Sequence, residues 1–266
     1  MTETLAVVGA GVMGENLIAG LLRATWDPHQ IIAVDRYPAR TKHMADKYGV
    51  QISDVRQAAQ TADTVLIMVK PQDVGAVLPQ IAGAIKPGTL VVSLCAGITT
   101  SRVEQAMPEH TPVVRVMPNT PAQVDEGMAA VSAGSNATDE HVAKVCSLLE
   151  AVGKAIVVPE EYQDAVTAIS GSGPAYLFFV VEAMIDAGVM LGLPRTISTE
   201  LVTQTMFGSA KLLVESGEHP TVLRERVTSP GGTTAAALRR LEEHRVKAAF
   251  MQAMEAARDR SSELAD

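Results

Sequence analysis

Aromatic residues are scarce in this chain, at 3% of its 266 residues. Its cores must therefore be filled by Ala, Val, Ile, Leu and Met, which dominate a hydrophobic share of 47%. Cysteine is almost missing as well: Cys95 and Cys146 stand alone, with no CxxC pair, and the six histidines are scattered, none at ligand spacing with another. That argues against a disulfide scaffold or a zinc site, so no metal is expected and the cytosol is the compartment that fits. There is no Lys/Arg-rich run to set against a net charge of −8; Arg239-Arg240 is the densest basic spot of the C-terminal region. Nucleic acid and anionic membranes are poor partners for such a surface, although a local field can still attract a small anion. The first residues, Met1-Thr2-Glu3-Thr4, are acidic and lead straight into a strand pattern, which does not read as a signal peptide. One long apolar stretch runs over 174–192, but it contains Glu182 and Asp186 a helical turn apart. It reads as a buried or interfacial helix rather than a membrane span.

What is present falls into two parts. Up to about residue 158, short apolar runs at 5–8, 31–34, 65–69 and 90–94 alternate with helical stretches at 13–23, 39–47 and 73–81. A further run at 113–116, a helix at 138–151 and a last strand at 156–158 continue the pattern. Nearly continuous apolar runs are the mark of strands covered on both faces, and their alternation with helices predicts a doubly wound α/β domain with a parallel sheet. After Pro159 the strand runs stop, and breakers at Gly171/Gly173/Pro174, Gly192/Pro194, Gly217/Pro220 and Pro230/Gly231 divide the rest into about five helices. The expected domains are 1–159 and an all-helical 160–266.

Gly9-Ala10-Gly11-Val12-Met13-Gly14 places a G-x-G-x-x-G directly after a strand and at the start of a helix. The mechanism requires that context: a tight turn, close approach of backbone to a pyrophosphate, and close helix–strand packing. Asp35 ends the second strand, where an acid binds a ribose 2′-hydroxyl, and Arg36 beside it suits a 2′-phosphate, so NAD and NADP both stay open. Val69-Lys70-Pro71 and Cys95-Ala96-Gly97 follow the third and fourth strands at the ligand-binding edge of such a sheet. Lys70 there faces either cofactor phosphates or solvent. Cys95 lacks a nearby base and reads as a small residue beneath a nicotinamide rather than a nucleophile. Met117-Pro118-Asn119-Thr120-Pro121 forms a rigid turn after the fifth strand, with Asn119 as a candidate cofactor contact.

A second anion site lies near the C-terminus. Ser229-Pro230-Gly231-Gly232-Thr233-Thr234 runs into the helix-forming Ala235-Ala236-Ala237-Leu238. A helix start exposes amides with no partner in the helix, and two glycines let a ligand approach the main chain, which suits a small carboxylate or phosphate. The paired glycines of Ser170-Gly171-Ser172-Gly173-Pro174-Ala175 likewise exceed what a simple cap needs.

With Val69-Lys70-Pro71 and the N-terminal fingerprint, the segments Ser170–Tyr176 and Thr228–Thr234 resemble pyrroline-5-carboxylate reductase, in order along the whole chain. The Asp164-Ala165-Val166-Thr167 lead-in and Ala187-Gly188-Val189…Gly192-Leu193-Pro194 belong to the same likeness. The resemblance implies NAD(P)H-dependent reduction of 1-pyrroline-5-carboxylate to L-proline. NADP is then the expected cofactor, with NAD also accepted, and a Rossmann-like domain precedes a helical dimerisation domain. It further implies a carboxylate pocket from Ser229, Pro230, Gly231, Gly232, Thr233 and Thr234, and a homodimer through the helical domain that in this family often grows into a decamer. Thr234, a neutral hydroxyl, is the expected catalytic group, orienting the ring nitrogen or relaying a proton; a substrate bound as its iminium cation needs no strong acid. The chain departs from the pattern of some members at Asp35-Arg36-Tyr37, where they carry a short polar loop, and at Gly217-Glu218, where they place a Glu one residue earlier. A β-hydroxyacid or imine reductase of the same layout would want a basic residue on the inter-domain helix for alcohol chemistry, and 165–180 contains no Lys, Arg or His. A catalytically silent nucleotide sensor would not need the carboxylate loop.

Overall fold

In the chain's first half every strand-length apolar run has both of its faces covered. The computed structural model describes residues 3–264. In chain order the first part comprises β1 (Leu5–Val8), α1 (Val12–Arg23), β2 (Ile31–Val34), α2 (Pro38–Tyr48), β3 (Gln51–Ile52), α3 (Val55–Thr61) and β4 (Thr64–Ile67). It continues with α4 (Pro71–Ala82), β5 (Leu90–Ser93), α5 (Thr100–Ala106), β6 (Val113–Met117), β7 (Gly127–Ala133), α6 (Asp139–Leu149) and β8 (Gly153–Val157). All residues of β1, β2, β4 and β5 are buried. Alternate side chains of one strand enter opposite layers. Leu5 and Val7 pack with Leu17, Ile18 and Leu21 of α1 on one face, and Ala6 and Val8 pack with Val74, Leu78 and Ile81 of α4 on the other.

The sheet runs β3-β2-β1-β4-β5-β6-β7-β8. β1 lies between β2 and β4, parallel to both, so the chain reverses its direction of winding there. That reversal opens a crevice at the carboxyl end of β1. The sheet is parallel, as expected, from β3 through to β6, and one antiparallel pair follows, β6 with β7. The segment joining them, residues 118–126, is too short for a crossover helix and turns back through a 3-10 helix at Thr120–Val124. β7 itself (Gly-Met-Ala-Ala-Val-Ser-Ala) was missed by apolar-run reading because small residues fill it. β8 begins earlier than the expected last strand and ends at Val157.

The chain packs as two compact units: the described residues up to Ser172 together with those from Ala257 onward, and Gly173–Ala256. Residues 160–172 belong with the sheet because their side chains are fastened to it. Gln163, on α7 (Gln163–Val166), is fully buried and donates to Ser132 Oγ at 2.7 Å. Glu160 accepts from Thr100 N at 2.7 Å, from the Thr100 hydroxyl, and from Arg115 Nη1 at 3.1 Å. Asp164 accepts from the hydroxyls of Ser261 and Ser262 at 2.7 and 2.9 Å.

The second unit, taken by itself, is helical: α8 (Gly173–Met190), α9 (Arg195–Ser216), α10 (Pro220–Arg226), α11 (Thr233–Glu243) and the first part of α12 (Val246–Glu263). α8 and α9 form a hairpin in which the Ser198 hydroxyl donates to the Ile185 carbonyl at 2.8 Å. No residue of α8 is buried within this chain, and Leu177, Phe178 and Phe179 are 53–70% exposed. By length and composition alone, the helical run Glu160–Met190 is long and apolar enough to cross a membrane. Its Asp186, however, is ion-paired with Arg195 at 2.9 Å.

Arg115 is the one buried charged residue among those described, and Glu160 is its counter-ion. Removing the carboxylate strands a buried guanidinium and the first amide of α5. Glu160→Ala is expected to lower stability in denaturant unfolding by about 2–3 kcal/mol, below the full cost of a buried pair because Glu160 is partly open to water. A loss under about 0.5 kcal/mol would show that this anchor does not hold residues 160–172 to the sheet.

Candidate functional site

The glycine turn after β1 is closed from below and open above. Gly9 has φ +111° and donates its amide to the Val34 carbonyl at 2.8 Å. A Cβ there would lie 2.5 Å from the Met68 carbonyl oxygen, and one on Gly14 would overlap the Gly9 carbonyl. Gly11 is different: a Cβ would meet nothing within 4 Å. It caps α1 with no side-chain hydrogen bond, so the first amides of α1 keep their hydrogens and partial positive charge free for an anion. Val12 is exposed beside it, and Met13 is turned partly into the core.

Beneath this turn lies a polar brace. Arg40 of α2 donates Nε and Nη2 to the Ala10 carbonyl at 2.9 and 2.6 Å, and Nη2 also to Glu15 Oε2 at 2.8 Å. The other oxygen of Glu15 accepts from Lys47 Nζ and Tyr48 Oη at 3.0 Å each, with His43 Nε2 also at 3.0 Å. Burial alone would raise the Glu15 pKa; the surrounding donors, His43, Lys47, Arg40 and Tyr48, outweigh it and bring it from 4.5 down to about 2. Glu15 and Arg40 carried no motif and were missed. Their spacing suggests only a surface helix, and the brace exists because α1 and α2 lie side by side.

A cleft of about 650 Å³ opens from the glycine turn across the ends of β2 and β4, lined among others by Gly9, Gly11, Asp35, Arg36, Lys70 and Asp73. This brings together the expected phosphate turn, ribose acid and basic neighbour. Asp35 Oδ1 accepts from Tyr37 N at 3.0 Å. Arg36 stacks over the Tyr37 ring, 4.9 Å from its centre, and donates Nη1 to Asp73 Oδ1 at 3.0 Å. Lys70 caps α4 and is exposed at the cleft. The open glycine cradle, the uncapped helix start and the length of this cleft fit a dinucleotide.

Other expected cofactor residues sit differently. Cys95 is buried, its thiol donating to the Val69 and Ile67 carbonyls at 3.2 and 3.4 Å. Burial pushes its pKa up to about 11, so it offers a ligand only its backbone. Ala96 is half-buried, and Gly97, with φ +73°, backs onto the Leu264 carbonyl. Asn119 works within the protein: its Oδ1 accepts from Met128 N at 2.8 Å and its Nδ2 donates to the Ser170 carbonyl at 3.2 Å, leaving one amide hydrogen. Ser170 and Gly171 lie in a π-turn, Thr167–Gly171, before α8. A Cβ on Gly171 would overlap Met117, which explains that glycine by packing.

The second anion segment belongs to the helical unit. Gly231 has φ +70°, Gly232 donates its amide to the Ser229 carbonyl at 3.0 Å, and α11 starts at Thr233 with Gly232 as an N-cap that makes no side-chain hydrogen bond. The amides of Thr233, Thr234 and Ala235 thus have no acceptor within the helix. Ser229, Pro230, Gly231 and Thr233 are exposed, and Gly232 and Thr234 half-buried.

Residues 160–264 match the family described as pyrroline-5-carboxylate reductase dimerisation, and residues 4–97 match NADP oxidoreductase coenzyme F420-dependent. A pyrroline-5-carboxylate reductase of Corynebacterium melassecola is 44% identical over 98% of each chain. Among solved structures, a pyrroline-5-carboxylate reductase from Coxiella burnetii superposes with a TM-score of 0.94 at 34% identity over 100% of both chains. The Plasmodium falciparum enzyme with NADP bound gives 0.89 at 30% identity, covering 100% of this chain and 99% of that one.

The depressed pKa of Glu15 makes its brace sensitive to acid. A carboxylate whose pKa falls on folding contributes stability fully above 4.5 and loses it as pH drops toward 2. Glu15→Gln is therefore expected to cost about 1–2 kcal/mol at pH 7, discounted from the full shift because water screens the outer donors. In urea unfolding the deficit against the parent protein should close between pH 4.5 and 2. A deficit independent of pH would assign the loss to packing instead.

Proposed function

The chain belongs to the pyrroline-5-carboxylate reductase family, and from that membership we propose which of its own residues carry the reduction of 1-pyrroline-5-carboxylate to L-proline by NADPH. The observation that carries the reading is the start of α11. Free amides, two glycines and three hydroxyls lie together there without an ionisable side chain in 229–234.

The substrate carboxylate is held by the amides at the start of α11 and the hydroxyls of Ser229 and Thr233. Pro230 stiffens the approach, and Gly231 and Gly232 keep it open. Thr234 orients the ring nitrogen and is the assigned catalytic group. A protonated imine already carries the positive charge that draws a hydride, so the site needs no strong acid; positioning and fixed dipoles do the catalytic work. When bound, the nicotinamide supplies that hydride.

On the nucleotide side, Gly9, Gly11, Val12, Met13 and Gly14 form the pyrophosphate turn. Asp35 takes a ribose hydroxyl and Arg36 the 2′-phosphate, with NADH accepted as well. Val69, Lys70, Pro71, Ala96 and Gly97 line the remainder, Cys95 contributes backbone alone, and Asn119 has its spare amide hydrogen. The uncovered face of α8 is closed by the same face of a second copy in an isologous homodimer, with a decamer as the larger form, in the cytosol. Neither nucleic acid nor membrane is a proposed partner.

Gly232→Val places a branched side chain where even a Cβ lies 3.1 Å from the Ser229 carbonyl. KM for pyrroline-5-carboxylate should rise about tenfold or more, while the NADPH Kd changes by less than about twofold. Lost NADPH binding with an intact substrate KM would overturn the assignment. Light scattering across the micromolar range should give at least a dimer mass; a monomer throughout would remove the proposed cover for α8.

A further inference from the structure

The nucleotide cleft holds an acid that plays no part in the reading above. Asp73 lies in the first turn of α4, 37 residues from Arg36 in sequence, yet its Oδ1 accepts from Arg36 Nη1 at 3.0 Å. Both line the cleft, as does Asp35. The guanidinium is therefore fixed on two sides, by the Tyr37 ring against its face and by Asp73 at its edge. The charge of Asp73, foremost, holds the Arg36 pKa above its ordinary value. The start of α4 in turn favours a carboxylate at Asp73 through the helix dipole.

We propose that Asp73 is a specificity-determining residue that withholds Arg36 from a 2′-phosphate and so sets how far the enzyme prefers NADPH over NADH. An arriving phosphate must compete with Asp73 for Arg36 Nη1 and for the charge of the guanidinium, and it does so in a cleft that the carboxylates of Asp35 and Asp73 both line. A free 2′-hydroxyl meets neither obstacle. Arg36 offsets the repulsion from Asp35 only to the extent that Asp73 releases it. The selectivity of the cleft is then the balance of one guanidinium between two anions. This inference rests on Arg36 meeting the 2′-phosphate.

The test measures binding rather than turnover. The purified protein is titrated calorimetrically with 2′,5′-ADP and with 5′-AMP, as the parent, Asp73→Asn, Asp73→Ser, Arg36→Ala and the Asp73→Asn/Arg36→Ala pair. Both Asp73 substitutions should tighten 2′,5′-ADP relative to 5′-AMP by about fivefold or more, and the gain should shrink to about twofold or less without Arg36. An unchanged or lower ratio in both would overturn the proposal, the lower ratio meaning that Asp73 instead holds Arg36 ready for the phosphate. An undiminished gain in the Arg36→Ala background would also overturn it, leaving direct repulsion as the cause. Arg36→Ala by itself tests the underlying reading: if 2′,5′-ADP binds it as tightly as the parent does, the 2′ position is read elsewhere.

Discussion

A helix must find partners for its first amides, and a side chain supplies one at three helices of the sheet unit: Asp54 caps α3, Thr99 caps α5 and Thr138 caps α6. α2 and α4 have no side-chain cap and start instead with a proline, Pro38 and Pro71, which has no amide hydrogen to satisfy. α1 and α11 instead begin at glycines, Gly11 and Gly232, that offer nothing to those amides. A hydroxyl or carboxylate at either place would occupy the donors and fill the space a ligand needs. Each uncapped start costs the free protein some helix stability, which an anion restores on binding. On the assignment proposed above, the nucleotide and substrate ends of the reaction rest on the same omission.

The omission at Gly11 has to be supported from elsewhere. The turn before it has only the buried Ala10 methyl to hold its shape from the side-chain side, and the Ala10 carbonyl is gripped by Arg40, itself anchored on Glu15. Glu15 lies in the first turn of α1, where the helix dipole favours its charge. The glycine turn is therefore tied to the two helices beside it by the Ala10 carbonyl, Arg40 and Glu15. At the other end of the cleft Asp35 fixes the backbone of Tyr37, whose ring supports Arg36.

How much of this was legible depends on whether the signal was local. Strands at 5–8 and 31–34 could be read because burial on both faces forces continuous apolar runs, and the glycine turn because its spacing carries its mechanism. β7 could not, since an Ala-rich strand with Gly and Ser looks like neither a run nor an alternation. The Arg40–Ala10, Glu15–Lys47 and Arg36–Asp73 contacts join residues 30 to 37 apart, and only the packing of α1, α2 and α4 against the sheet brings them together. Asn119 illustrates a different limit. It follows β6, where a ligand contact was expected, and its side chain is largely spent bracing the start of β7 and the π-turn.

The fastening of Ser261 and Ser262 to Asp164 bears on how the protein is made. The unit that carries the nucleotide cleft closes with residues from Ala257 onward, so its contacts span almost the entire chain. A ribosome delivers the sheet early, and the helices of Gly173–Ala256 follow before the last turn of α12 emerges. Through that interval Asp164 lacks its two serine donors and Gly97 lacks its backing. The nucleotide unit can assemble most of its core during translation, but it reaches its final form only once the residues from Ala257 onward have been made and have returned to Gly97 and Asp164.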